Sequence, residues 1–395
     1  MVARKTKKSS AKPTRKRKVS PVVRALAEFR RAKGLERNDA RFTEVGLTEI
    51  TLERLESGYN QPNLDTLERY AQAMGFSLAL RRTNEEDTAQ AGLQLKLPKM
   101  RVLAMFNHAG GVGKTSLTRD LAYALGVLGF RVLVIDLDPQ SNLSSWLGVP
   151  RPIRDEQTVY MTITGEEREA SLPEPIHVHG INVIPSNLGL HRIDRGSTSG
   201  RRRRLERAIR RLASAEDAGG KDAGSKDSVS KDTNPERRYD FVILDLSPSL
   251  TNLTEMAMIA ADSLVVPIPA SDKGLEAIPG IIEALENARD DANPTLNVAM
   301  FVITQFNAQT AIDQAMVEQV RNQTSPIAPV AGPLNSFTIY REAMAANLPI
   351  ALYQPSHRAV EQIQQVTATL LSIVSPGVPA PLGKAAPPVT SEALS

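Results

Sequence analysis

The segment AMFNHAGGVGKTSLTRDLAYALGVLG, from Ala104 to Gly129, restricts the fold of this chain more than any other. An apolar run gives way to a loop rich in glycine and then to an apolar period of helical spacing, so it reads as strand, glycine loop, helix. Apolar runs of strand length go on alternating with helical periods from Met100 to about Val374. That pattern predicts an α/β domain with a mostly parallel sheet flanked by helices on both faces. The chain has 395 residues, 41% of them hydrophobic, which leaves room for this domain and a second, smaller one.

The loop carries specific chemistry. Gly110, Gly111, Val112 and Gly113 leave the backbone free to wrap a phosphate, and the following helix turns its N-terminal dipole toward the negative charge. Lys114 would then reach the terminal phosphates and Thr115 would coordinate Mg2+. The general pattern G-x-x-x-x-G-K-[ST] fails at His108, where its first glycine belongs, so GGVGKT by itself does not decide the matter. Two further segments do. RVLVIDLDPQ is a buried strand ending in Asp136 and Asp138, on the edge where an α/β sheet places its ligands. YDFVILDLSPSL is another, running into Asp245 as a Walker-B carboxylate requires. One Asp after an apolar strand is ordinarily a turn residue. Two such strand ends downstream of a lysine-bearing loop point to a bound nucleoside triphosphate.

The order GGVGKT, DLDPQSN, YDFVILDLSPSL, VVPIPASDKGLEAI resembles the ParA/MinD branch of P-loop ATPases, and within it the ParA partition ATPases, from about Met100 to Leu371. The resemblance implies a P-loop NTPase fold, ATP and Mg2+ as cofactors, and ATP-dependent face-to-face homodimers. It also implies slow hydrolysis stimulated by DNA and a ParB-like partner. Carried over by residue, Lys114 and Asp138 are catalytic, with Asp138 positioning the attacking water. Thr115, Asp136 and Asp245 serve the metal, Asp136 through its hydration shell. Ser116 helps to hold the phosphates and Asn307 lies near the base. Most such loops place a signature lysine at the position of Ala109, and here it is missing.

Upstream, GLTEITLERLESG and NLDTLERYAQAMG read as two short helices. Thr48 and Asn63 are their caps, Ile50, Leu52, Leu55, Leu64, Leu67, Ala71 and Met74 their apolar positions, and Gly58 and Gly75 their stops. Val22, Val23, Leu26 and Phe29 supply a further stripe. The stretch resembles the Cro/C1-type (XRE) helix-turn-helix family, which implies DNA reading by Thr48, Glu49, Thr51 and Glu53, two of them carboxylates that repel phosphates. We expect a disordered basic arm at 1–20, the helix-turn-helix at 21–82, a linker at 83–99 and the ATPase domain at 100–374. A low-complexity insertion at 214–238 should form a surface loop, and 375–395 a disordered tail.

The arm holds nine Lys and Arg from Arg4 to Lys18 with no acid, a pattern drawn to nucleic acid more than to membranes because no apolar face accompanies it. A cytoplasmic, nucleoid-associated protein is expected, with neither signal peptide nor membrane span. The absence of cysteine excludes disulfides and thiolate chemistry. His177 and His179 alternate on an expected strand without a third ligand for a metal. RRRRLERAIRRL, from Arg201, reads as a helix with Leu205, Ile209 and Leu212 inside and arginines outside. These arginines and Arg119 are candidate cations for DNA or for the missing lysine. In GPLNSFTIYREAM, Leu334 and Phe337 stand near the places of DNA-binding arginines in relatives, leaving Arg341 as the basic residue. Partition of plasmid or chromosome DNA, with possible autoregulation, is the expected role. A nucleotide-switched transcription regulator and a positioning ATPase for non-DNA cargo are the alternatives.

Overall fold

The computed structural model describes residues 19–32, 35–59, 62–74, 76–81, 92–96, 99–165, 171–196, 200–213 and 239–374. The basic residues of the arm, the insertion, Gly75 and the tail lie outside the described residues.

Four helices come first: α1 (Pro21–Ala32), α2 (Ala40–Glu44), α3 (Glu49–Glu56) and α4 (Leu64–Ala73). Both expected caps form, Thr48 Oγ1 accepting the Thr51 amide at 3.2 Å and Asn63 Oδ1 that of Thr66 at 2.8 Å. Gly58 follows α3 at φ +73°, a left-handed conformation that a side chain would strain. Leu26, Phe42, Leu52, Tyr70 and Met74 are fully buried between the helices. Ile50 and Leu64 are exposed instead, because each stands in the first turn of its helix, off the face that packs inward.

Glu56 ties this unit together. It accepts from the buried Arg30 Nε at 2.8 Å and Tyr70 Oη at 2.6 Å, and from Arg37 Nε, half-buried, at 3.0 Å. Burial works against its charge, but the bonds from Arg30 and Tyr70 outweigh it and hold the carboxyl below its usual range. Glu56→Ala leaves the buried Arg30 guanidinium unpaired and should lower stability by about 3–5 kcal/mol in denaturant unfolding. Because the folded-state pKa is depressed, this contribution is complete above the unfolded value of about 4.3 and is lost as pH falls through the folded one. The unfolding midpoint of the variant should accordingly be less acid-sensitive than that of the parent.

Next comes an antiparallel ribbon, β1 (Ser77–Arg81) with β2 (Gly92–Lys96), in register from Ser77 opposite Lys96 to Arg81 opposite Gly92. β2 falls in the stretch expected to be linker. The GLQLK alternation is a strand period, overlooked beside the polar residues before it. Nor is the helical unit detached. Ring centroids step from Phe29 to Phe76 at 4.8 Å, to Phe130 at 5.8 Å and to Phe241 at 5.4 Å, carrying one apolar cluster from α1 into the main sheet.

That sheet contains β3 (Arg101–Met105), β4 (Val132–Asp136), β5 (Ile176–Val178), β6 (Ile181–Ile184), β7 (Phe241–Asp245), β8 (Ser263–Pro269), β9 (Asn297–Thr304) and β10 (Val330–Ala331). Their spatial order is β10-β9-β8-β3-β7-β4-β6-β5, with β5 antiparallel at one edge and the rest parallel. Side chains alternate between faces. Leu103 and Met105 join the cluster under α5 (Lys114–Val127) and the C-terminal helix (Arg358–Val374), while Val102 and Ala104 join the opposite cluster. On that opposite face lie α9 (Arg204–Arg210), α10 (Asn252–Ala260) and α11 (Asp272–Asp291), numbered with α6 (Asn142–Trp146), α7 (Val159–Thr164) and α8 (His191–Arg195) before them. Asp245 ends β7 level with Met105 of β3 and Asp136 of β4, so the three strand ends open on one edge beside the glycine loop.

Two expectations change here. His177 lies on β5 and bonds Asn182, whereas His179 sits in the following turn at φ +51°, so the pair shares no strand face. The α9 stripe of Leu205 and Ile209 is buried as expected, and three arginines in and just before the helix are paired with acids. Arg202 pairs with Glu255 and Asp291, Arg203 with Glu206, and Arg210 with Asp262.

Candidate functional site

The glycine loop closes over a cavity of about 840 Å³. Gly111 and Gly113 take φ of +74° and +94°, conformations open to glycine at little cost. The loop carbonyls are tied down from outside. Lys114 Nζ donates to the carbonyls of Asn107 at 2.9 Å and Ala109 at 3.0 Å, and Lys273 Nζ to that of Gly110 at 2.6 Å. Gln305 Nε2 donates to Gly111, and Thr304 Oγ1 to Val112 at 2.9 Å. Asn107, fully buried, donates to the Pro267 carbonyl and accepts the Ala109 amide, each at 2.8 Å. With its carbonyls held this way and the Ala109 amide taken by Asn107, the loop has the amides that follow left for an anion. The first-turn amides of α5 add to them, since no helix supplies these with internal partners and the N-cap Gly113 offers no side chain.

His108 has a structural explanation. Its ring lies against α11 at Gly280, where an added Cβ would stand 2.7 Å from His108 Cε1. A side chain fits at the pattern's first glycine because the facing helix has none.

Lys114, Thr115 and Ser116 line the cavity with Gly111, Val112 and Gly113, and Asp138 stands on its wall accepting the Gln140 amide at 2.9 Å. Burial pushes the Lys114 pKa down to about 8; Asp245 and Asp138 oppose the shift and Lys273 adds to it. Asp245 Oδ1 accepts from Thr118 at 2.7 Å, whereas its buried Oδ2 has no hydrogen-bond partner among the described residues. Burial raises the pKa of Asp245, and also that of Asp136, where the neighbouring Asp245 charge adds to the rise. An orphaned oxygen beside Thr115, on a carboxylate whose charge is disfavoured as it stands, fits a hydrated divalent cation.

Asp136 is bonded within the protein. Its Oδ1 accepts the Asp138 amide at 3.1 Å, and its Oδ2 accepts the Ser144 amide at 2.9 Å and hydroxyl at 2.6 Å. Both oxygens are used in bracing the turn that carries Asp138. Asn307 is not among the residues lining this cavity, and it caps its own loop by accepting the Gln309 amide. Thr304, Gln305, Asn335, Phe337 and Tyr340 stand there instead, the Tyr340 hydroxyl buried without a hydrogen-bond partner among the described residues. Leu334 and Arg341 belong to the same wall, with Leu334 buried and Arg341 exposed at its rim. Arg119 is fully buried against Asp120, at 2.8 Å, and is no free cation. Asn107, Lys273, Thr304 and Gln305 escaped the sequence reading because nothing in their local sequence marks them as partners of the loop.

Residues 103–350 match the CobQ/CobB/MinD/ParA nucleotide binding domain family. The chain is 34% identical over 283 residues to the probable plasmid-partitioning protein ParA of Thermus thermophilus, covering 69% of this chain and 79% of that protein. The chain belongs to this family, in its ParA branch. The chromosome partitioning protein ParA of Caulobacter vibrioides is 33% identical over 224 residues, covering 56% of this chain and 76% of its own length. In fold, this ParA-type chain is similar to McdA of Cyanothece in complex with ATP, at a TM-score of 0.57 and 20% identity over 69% of this chain and 97% of that one. Cobyrinic acid a,c-diamide synthase of Mycobacterium smegmatis follows at 0.52 and 21%, over 69% and 94%. Among the described residues no helix is long and apolar enough to cross a membrane.

Proposed function

We propose that this chain is a magnesium-dependent ATPase of DNA partition, which dimerises with ATP, binds DNA and answers to a ParB-like partner. One observation carries the reading: a single cavity gathers Lys114, Thr115 and Ser116 with Asp138 and the loop after Asp245, in a chain of the ParA branch. Loop amides and Lys114 hold the β- and γ-phosphates. Thr115, with Asp245 behind it, holds Mg2+, which when bound draws charge from the phosphate oxygens. Asp138, pinned by the Ser186 hydroxyl on its carbonyl at 2.6 Å, orients a water for attack on the γ-phosphorus and accepts its proton. Phe337 and Tyr340 supply the apolar wall for the base.

ATP turnover measured alone, with DNA, and with DNA plus the product of the neighbouring gene tests this. Turnover that rises when both are present is the expected result. Turnover indifferent to both overturns partition as the role. The nucleotide-switched regulator is kept as a second reading by one feature: Tyr123 and Ala124 of α5, the helix that begins in the glycine loop, and Leu128 just after it line with Phe29 and Phe76 of the helical unit a cavity of about 220 Å³. ATP-dependent binding to one DNA sequence, lost with α3 substitutions, would favour it.

A further inference from the structure

The glycine loop holds one lysine of its own, Lys114, and a methyl group at Ala109. A second ammonium nevertheless reaches the loop from elsewhere. Lys273 is the second residue of α11, its side chain is exposed, and among the described residues its ammonium bonds the Gly110 carbonyl, at 2.6 Å. Its backbone is held in place: an added Cβ on Gly274 would stand 2.1 Å from the Pro269 carbonyl oxygen, so the start of α11 sits directly on the end of β8.

The position is electrostatically unfavourable while no anion is present. A cation in the first turn of a helix opposes the helix dipole, and Ser271 contributes no side-chain cap to offset the free amides there. The Lys114 ammonium, buried nearby, is further disfavoured by Lys273. Two lysines and two helix N-termini thus converge on a loop of a few residues. Asp272, exposed in that first turn, is the acid beside Lys273, and Asp245 and Asp138 face Lys114 without restoring its pKa to the usual range. A polyphosphate is the ligand that relieves this concentration of positive charge.

We propose that Lys273 supplies from α11 the cation that the loop lacks at Ala109, its ammonium leaving the Gly110 carbonyl for the phosphate oxygens of bound ATP. The inference rests on the ATPase reading. As water bonds the γ-phosphorus and the bond to the bridging oxygen breaks, the electron pair moves to the β-phosphate, and a cation at the rim of the loop stabilises that charge. Of the other candidate cations, Arg119 is committed to Asp120, Arg202, Arg203 and Arg210 to acids, and Arg204 to the Ile163 carbonyl.

The test compares the full chain with Lys273→Ala, Lys273→Arg, Ala109→Lys and the double variant Ala109→Lys/Lys273→Ala, measuring ATP affinity and turnover separately. Lys273→Ala should lower turnover roughly 10- to 100-fold, the worth of one charge-assisted contact, while ATP stays bound through Lys114. Arginine at 273 should retain part of the rate, and lysine at 109 should restore it in the Lys273→Ala background. A structural role at the α11 terminus would not be rescued from position 109. Unchanged turnover in Lys273→Ala, or a loss that Ala109→Lys does not restore, overturns the assignment while the ATPase reading stands. A parent chain that neither binds nor hydrolyses ATP overturns both.

Discussion

Lys114→Ala should abolish ATP binding at concentrations that saturate the parent while leaving the empty protein as stable as before. The Lys114 ammonium is buried, and in the empty loop it is satisfied by the Asn107 and Ala109 carbonyls. Burial already lowers its pKa to about 8, so the cation is held there at some cost to the empty fold. Removing it deletes that cost together with two backbone contacts, and the two roughly offset. For the nucleotide nothing offsets the loss. Two charge-assisted bonds to phosphate contribute about 3–6 kcal/mol, a factor of roughly 100 to 10,000 in affinity. The measurement is thermal unfolding with and without ATP and Mg2+. At a hundredfold excess over the dissociation constant, ATP should stabilise the parent by about 2.7 kcal/mol and the variant by no more than about 0.4 kcal/mol. An equal rise in both would remove Lys114 from the site.

Asp138→Ala should do the reverse, keeping ATP bound while turnover falls by about 100- to 10,000-fold, the usual weight of a positioned proton acceptor. The carboxylate accepts one amide, from Gln140, while the backbone of its turn is held independently by Ser186, by Ser141 and by the donors on Asp136. The turn should therefore survive the substitution. If the ATP-bound state is the dimer, light scattering of the variant with ATP should show it accumulating. Asp138→Asn, which keeps the shape without the proton affinity, should match the alanine variant. Turnover near the parental rate in either would show that another group takes the proton.

Much of this protein is settled by local sequence. The glycine loop, the strand ends at Asp136, Asp138 and Asp245, and the Thr48 and Asn63 caps are short-range features, for which residue type and spacing determine backbone conformation directly. The stripe of α9 is of the same kind. Other features depend on how distant segments meet. Lys273, Thr304 and Gln305 bond loop carbonyls more than 160 residues away in the chain. Their roles follow from β8 and β9 lying beside β3, an order that no local period encodes. Asp136 and Asn307 look like ligands in sequence, and in the fold Asp136 braces the turn carrying Asp138 while Asn307 caps its own loop. Arg119 looks available, yet packing buries it against Asp120. β2 and the ring chain from Phe29 to Phe241 have the same origin, since a short strand or an aromatic residue gains its meaning from a partner. Local propensity acts through near neighbours, whereas register and strand order are set by burial of whole faces, and the complete site forms only once those faces close.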